Sequence, residues 1–182
     1  VIAEQQGFKL GRKAMKELMQ RSDRPAIRDT AIWLGLILVS AAGGIWFWGT
    51  WWCVPFFLVY GVLYGSASDS RWHECGHGTA FRTPWMNDAV YQIASFMLMR
   101  NPVTWRWSHA RHHTDTIIVG RDAEIAVMRP PDLLRTALAF TGILDFRYAL
   151  PKLVRNAAGR LSPDEADFIP ESEWPKAYAA AR

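Results

Sequence analysis

AIWLGLILVSAAGGIWFWG (residues 31–49) and WWCVPFFLVYGVLYGSA (residues 51–67) contain no charged residue, and only Thr50 separates them. Each run is about 17–20 residues, the length a helix needs to cross a bilayer. So short a junction admits one tight turn, and the pair is expected to form a transmembrane hairpin. Two buried core helices of a soluble protein would instead need neighbouring segments with apolar faces to cover them. The mean hydropathy of −0.06 does not argue against a membrane, because charged flanks dilute a strongly apolar middle.

Indoles crowd the tip of the hairpin at Trp46, Trp48, Trp51 and Trp52, where a bilayer's headgroup level favours them. The tip holds no Lys or Arg, whereas Lys9, Arg12, Lys13, Lys16, Arg21, Arg24 and Arg28 precede the spans and Arg71 and Arg82 follow them. The positive-inside bias therefore places both flanks in the cytoplasm. A net charge of +4 would also suit a nucleic-acid partner. Here Glu4, Glu17, Asp23 and Asp29 interleave with the bases, so no nucleic acid is expected and the partner is the lipid membrane. Cys53 lies in a span and Cys75 beyond it, on opposite sides of the expected bilayer, which argues against a disulfide. A cleavable leader is not expected, because a second span follows the first at once.

Outside the hairpin the pattern is helical throughout. Residues 4–21 read as a basic surface helix. The second span is expected to continue as helix from Gly65 to His77, since no breaker intervenes, and Gly61 and Gly65 give it a small-xxx-small face for close helix contact. Residues 90–99 (VYQIASFMLM) are too few to cross and are expected to dip into the interface or pack on the hairpin. Asn101-Pro102 starts a helix carrying Trp105 to His113. Residues 130–153 read as another amphipathic surface helix, and residues 162–175, acidic and proline-spaced, as a solvated connector.

All five histidines fall in two clusters, HECGH (residues 73–77) and HARHH (residues 109–113). Positions three and four apart share one face of a helix, so each cluster points two or three imidazoles at one spot. Converging neutral imidazoles are the ligand set of a transition metal. The candidate ligands are His73, His77, His109, His112 and His113. They can meet only if residues 90–99 do not cross the membrane, so topology and chemistry depend on each other. Glu74 makes the first cluster His-Glu-x-x-His, the zinc-protease signature, with the glutamate as general base. Zinc needs three protein ligands and an open position, and five imidazoles exceed that; two metal ions would use them. A carboxylate di-iron bundle would need a second Glu-x-x-His, which the sequence does not contain.

The HxxxH and HxxHH motifs, about 30 residues apart after an apolar hairpin, together resemble the membrane fatty acid desaturase and hydroxylase family; the string WRWSHARHHTDT (residues 105–116) looks particularly like its second histidine box. The resemblance runs from the first span through Ile125. It implies that the five histidines are ligands of two non-haem iron ions (Fe2+/Fe3+), that O2 is co-substrate, and that a ferredoxin or cytochrome b5 donates electrons. The substrate it implies is a fatty acyl chain, which is desaturated; a hydroxylase or alkane-type monooxygenase would share the same centre. Outer carboxylates can fix a ligand ring's tautomer, and Glu74, Asp115 and Asp122 are the candidates. The family also has a third box, (H/Q)xxHH, after further spans. The chain opens at Val1 and stops at Ala-Ala-Ala-Arg182, so it is expected to be a partial sequence that is inactive by itself. A membrane anchor that binds metal without turnover is the non-enzymatic alternative, and a membrane zinc protease on residues 73–77 the other enzymatic one.

The expected fold class is all-α, an integral membrane protein with one transmembrane hairpin and a cytoplasmic helical cap carrying the histidine boxes. Its segments are a basic cytoplasmic stretch (1–30), the hairpin (31–67), the histidine-box region with its short interfacial segment (68–125), and an amphipathic helix with an acidic connector (126–182).

Overall fold

The computed structural model describes residues 11–66, 70–124, 132–139 and 143–182. Every regular element among them is helical. In chain order these are α1 (Arg12–Leu18), α2 (Asp23–Trp46), α3 (Cys53–Gly65), α4 (Ser70–Gly76), α5 (Pro84–Met97), α6 (Pro102–Asp115), α7 (Leu133–Ala139), α8 (Ile143–Ala157), α9 (Pro163–Phe168) and α10 (Trp174–Ala180), with a 3-10 turn at Glu171–Glu173. Residues 4–10, Ala67, Ile125 and stretches 126–131 and 140–142 lie outside the described residues, and with them parts of the expected surface helices and the ends of the expected hairpin and resemblance.

Helices α2 and α3 form an antiparallel pair. The backbone of α2 comes close to α3 at Gly43 and Gly44, where an added Cβ would meet Phe56 at 2.3 Å and Phe57 at 2.9 Å. At the other end the Trp33 indole N–H donates to the Leu63 carbonyl at 2.9 Å. The side chains that face away are apolar and exposed, among them Ile32, Leu36, Leu38, Leu58 and Val62. At the tip Trp46, Trp48, Trp51 and Trp52 are all at least 71% exposed.

The two helices are unequal. With 24 residues, α2 is roughly 36 Å long at 1.5 Å per residue, and it is the one helix among the described residues long and apolar enough to cross a membrane. Helix α3 has 13 residues, about 20 Å, short of the full span expected from its uncharged run. Two local causes shorten it. Trp51 and Trp52 are used in the turn, where Thr50 bonds back to the Phe47 carbonyl through both its N–H and its hydroxyl. At the other end the Ser66 hydroxyl donates to the Leu63 carbonyl, a side-chain bond that competes with helix continuation. The expected continuation of this helix from Gly65 to His77 runs across residues 67–69, which lie outside the described residues; α4 is described from Ser70.

Residues 90–99 do pack on the hairpin. Residues 90–97 belong to α5, whose inner face contributes Val90, Tyr91 and Ala94 to a core with Trp33 of α2, Trp72 and Cys75 of α4, and Phe81. The Tyr64 hydroxyl of α3 donates to the Met97 carbonyl at 2.8 Å. The loop between α4 and α5 is held by Asn87, which exchanges both amide bonds with the Phe81 backbone. Arg21 also donates to the Gly78 and Phe81 carbonyls.

The C-terminal part departs from expectation. Residues 162–175 are not a solvated connector: α9 and α10 pack against α6, and α10 also against α8. Ser162 and Glu165 form a capping box with Pro163 at the first position of α9, and Glu165, Ile169 and Ala177 are buried. Acidity misled because Glu165 spends its charge locally, accepting from both the Ser162 N–H (2.9 Å) and hydroxyl (2.6 Å).

Candidate metal centre

Helix α6 begins with an Asn101 cap accepting from the Val103 and Thr104 N–H groups, with Pro102 in the first turn, a favoured start. His109 and His113 follow four residues apart on one face. Helix α4 carries His73, and His77 follows one residue past its end with its N–H bonded to the His73 carbonyl at 3.1 Å, so these two also stand four apart on one face. Trp72, one residue before His73, sets the distance between the two helices. Its ring lies 5.8 Å from Tyr91, 4.6 Å from Trp105 and 5.6 Å from His109, centroid to centroid. Tyr91 anchors the start of α6 by donating to the Pro102 carbonyl at 2.7 Å.

The consequence is a convergence of imidazoles from two helices. The Nε2 atoms of His77, His109 and His113 lie 3.0 Å and 3.1 Å from one another, across 32 and 36 residues of chain for the two pairs that include His77. His73 joins them, and one ring nitrogen from each of the four lies within 4.8 Å of the others. Rings that carry their proton on Nδ1 offer only lone pairs at Nε2, and in that tautomer the three cannot hydrogen-bond one another. A cation at their centre resolves the conflict, and imidazole nitrogen is a good donor to iron and zinc. His77 is held below its ordinary value of 6.5 by burial and then by the neighbouring rings of His109, His73 and His113. A depressed value favours the neutral, ligating form.

His112 is placed differently. It stands beside the four, its ring 5.9 Å from both His109 and His113, and its Nδ1 lies 3.0 Å from both carboxylate oxygens of Asp122. Of the three carboxylates singled out in the sequence, Asp122 alone touches an imidazole among the described contacts. Asp115 is buried but engaged by Arg111 at 2.6 Å and Arg121 at 3.2 Å. Glu74 is exposed and stands outside the converging group. Cys75 is 1% exposed in the core, and burial pushes its thiol up to about 11, so it packs as a small apolar side chain. A residue the sequence did not single out, Glu124, lies 3.1 Å from His109 Nδ1 through both of its oxygens.

Trp105 supports the centre from behind, packed on Trp72 and covered by Arg100, whose guanidinium carbon lies 3.9 Å from its ring centroid. A cavity of about 820 Å³ borders α6 on the side of Ser108 and Asp122. Its walls mix charged residues, among them Arg100, Arg121 and Lys152, with apolar ones, among them Leu98, Leu153 and Phe168.

Comparison with known proteins gives a consistent assignment. Residues 49–182 match the family described as "Fatty acid desaturase". The chain is 38% identical over 103 residues to a Delta(12)-fatty-acid desaturase of Arabidopsis thaliana, an alignment covering 57% of this chain and 23% of that protein. It is 30% identical over 101 residues to an sn-1 oleoyl-lipid 12-desaturase of Synechocystis sp., covering 56% of this chain and 28% of that protein. A Delta(12)-acyl-lipid-desaturase of Punica granatum is 35% identical over 75 residues, 40% of this chain and 19% of the relative. The chain therefore spans between about a fifth and somewhat over a quarter of the length of these relatives. No solved structure matches.

Proposed function

Because this chain belongs to the fatty acid desaturase family, we propose that it contributes imidazole ligands to a di-iron centre that desaturates a fatty acyl chain in a membrane. The observation that carries this reading is the meeting of the two histidine clusters, with His77 Nε2 3.0 Å from His109 Nε2. In this reading His73, His77, His109 and His113 are ligands of one group, and His112, held by Asp122, supplies a further imidazole. Iron held there supplies the activation of O2 that abstraction from an unactivated CH2 requires and no side chain can perform. The balance is one CH2–CH2 unit, O2, two electrons and two protons going to one CH=CH unit and two waters. The electrons come from a carrier such as ferredoxin or cytochrome b5. The protein's own work is to keep the rings neutral and aimed and to hold α4 and α6 at a constant separation through Trp72, Tyr91 and Trp105.

The proposed setting is a multi-pass membrane protein with the histidine region at the cytoplasmic face. Helix α2 has the length to cross, and the indole-rich tip suits the far headgroup level. Helix α8 supports a surface placement of the C-terminal part: Ile143, Phe146, Leu150 and Val154 recur at helical spacing, and all four are exposed. Such a stripe lies in a bilayer interface. The proposed organisation is a basic segment 1–30, hairpin 31–67, histidine region 68–125 and surface region 126–182, the last carrying a folded α9–α10 end. The protease alternative needs Glu74 beside the metal, and Glu74 is exposed and outside the converging group.

The test is iron content and product chemistry. Membranes carrying these residues within a protein that also supplies a third (H/Q)xxHH box, given Fe2+, O2 and reduced ferredoxin, are expected to yield acyl chains lighter by two hydrogens. A product heavier by one oxygen would instead assign the hydroxylase reaction. Iron that stays bound after His77→Ala and His113→Ala together would refute the ligand assignment.

A further inference from the structure

Beyond α6 the chain turns back on itself. Ile117 and Gly120 both take positive φ, 64° and 80°, and the Asp122 carboxylate closes the loop by accepting from the Ile117 N–H (2.8 Å) and the Glu124 N–H (2.9 Å). The returning segment, residues 121–124, then runs back along the last turns of α6. Its two carboxylates meet two imidazoles in register: Asp122 faces His112, and Glu124 faces His109. The two histidines, three apart on a helix, are separated along the axis by about 4.5 Å. Glu124 is further held by the Ser108 hydroxyl, which donates to its Oε1 at 3.2 Å, and its side chain is only 14% exposed.

We propose that Glu124 is a positioning residue for His109, clamping its Nδ1–H so that Nε2 is the free ligand atom turned to His77 and His113. The inference rests on the metal-centre reading for its purpose, but not for its geometry. An ionised carboxylate only accepts hydrogen bonds, so the proton between Glu124 and His109 sits on Nδ1. The neutral ring then presents Nε2 as a lone pair. Neither Glu124 nor its role can be seen in the histidine motif, because Glu124 lies 15 residues after His109 and reaches it only through the reversed loop. A partner of this kind both orients the ring and raises its basicity.

The experiment is long-range 1H–15N correlation of the histidine rings of the full chain in detergent micelles, at about pH 9 where an imidazole is neutral, without metal. The His109 signals are identified by their loss in His109→Asn. The wild-type ring is expected as the Nδ1–H tautomer, Glu124→Gln to keep it through the amide oxygen, and Glu124→Ala to admit the Nε2–H form. Co2+ titration followed by visible absorption is the second readout, and Glu124→Ala is expected to lose about 10–100-fold in affinity, with Glu124→Gln between it and wild type. A wild-type His109 in the Nε2–H form, or a tautomer indifferent to Glu124→Ala, overturns the proposal. If the wild-type chain takes up no Co2+ while the tautomer follows Glu124, the clamp stands and it is the metal assignment that fails.

Discussion

Replacing Asn101 by Ala tests how firmly the histidine-bearing helix is built into the rest of the fold. The Asn101 side chain does two jobs at once: Oδ1 caps α6 by accepting from Val103 and Thr104, and Nδ2 donates to the Ala177 carbonyl of α10 at 2.7 Å. Both ends of the second bond are buried, Asn101 at 5% and Ala177 at 0% exposure. Loss of an N-cap costs about 0.5–2 kcal/mol. A buried carbonyl stripped of its donor costs about 1–3 kcal/mol more. Asn101→Ala is therefore expected to lose about 1.5–5 kcal/mol. Asn101→Asp separates the two parts, since its carboxylate still caps the helix and suits its positive end, but offers Ala177 no donor. It should lose about 1–3 kcal/mol while keeping α6 helical. The assay is denaturant unfolding of the purified chain in mild detergent, followed by helical circular dichroism and by indole fluorescence from Trp105 and Trp174. An Asn101→Ala variant within about 0.5 kcal/mol of wild type, the range of an ordinary surface change, would refute the tie between α6 and α10.

The glycines of α2 give a paired test. Gly43→Ala places a Cβ 2.3 Å from Phe56 and should destabilise the hairpin by about 1–3 kcal/mol, whereas Gly35, open to space, should gain about 0.5–1 kcal/mol as Ala; melting in detergent reads both. Ile117 holds a left-handed backbone at φ 64° that costs a β-branched residue about 1–2 kcal/mol, so Ile117→Asn should raise the melting temperature, and a fall would show that its side chain matters more than its backbone. At Asp164, burial pushes the carboxyl up, but the Lys152 ammonium at 2.5 Å and the Ser162 hydroxyl outweigh it and leave it below the usual 3.8. A lowered folded value means stability that is present above the unfolded value and lost as pH falls through the folded one. Lys152→Met should thus weaken the fold at neutral pH and reduce its loss on acidification below about pH 4, read from melting temperature against pH.

Much of the fold was legible because its signals are local. The charge-free run of α2, the Asn101-Pro102 start of α6 and the shared face of His109 and His113 depend only on residues within a few turns of one another. The capping box Ser162-x-x-Glu165 with Pro163 after its first residue was equally local, and it marks α9 as a helix start in a stretch whose acidity suggests solvent. The length of α3 was harder, since uncharged residues at both ends of its run are used in a turn and in the Ser66 bond to Leu63, and hydropathy does not distinguish turn from helix.

By itself, then, the sequence determined that the chain is helical, that one stretch is long and apolar enough for a membrane, and that each histidine cluster presents its rings on one face. These follow from the helix repeat, which relates residues three and four apart whatever surrounds them. Only the tertiary structure decided that the two faces meet, that His112 turns to Asp122 while Asp115 is engaged by Arg111 and Arg121, and that Glu124 reaches His109. Distances between helices are set by the side chains wedged between them, here Trp72, Tyr91 and Ala94. Those contacts join residues far apart in the chain, and no local periodicity encodes them.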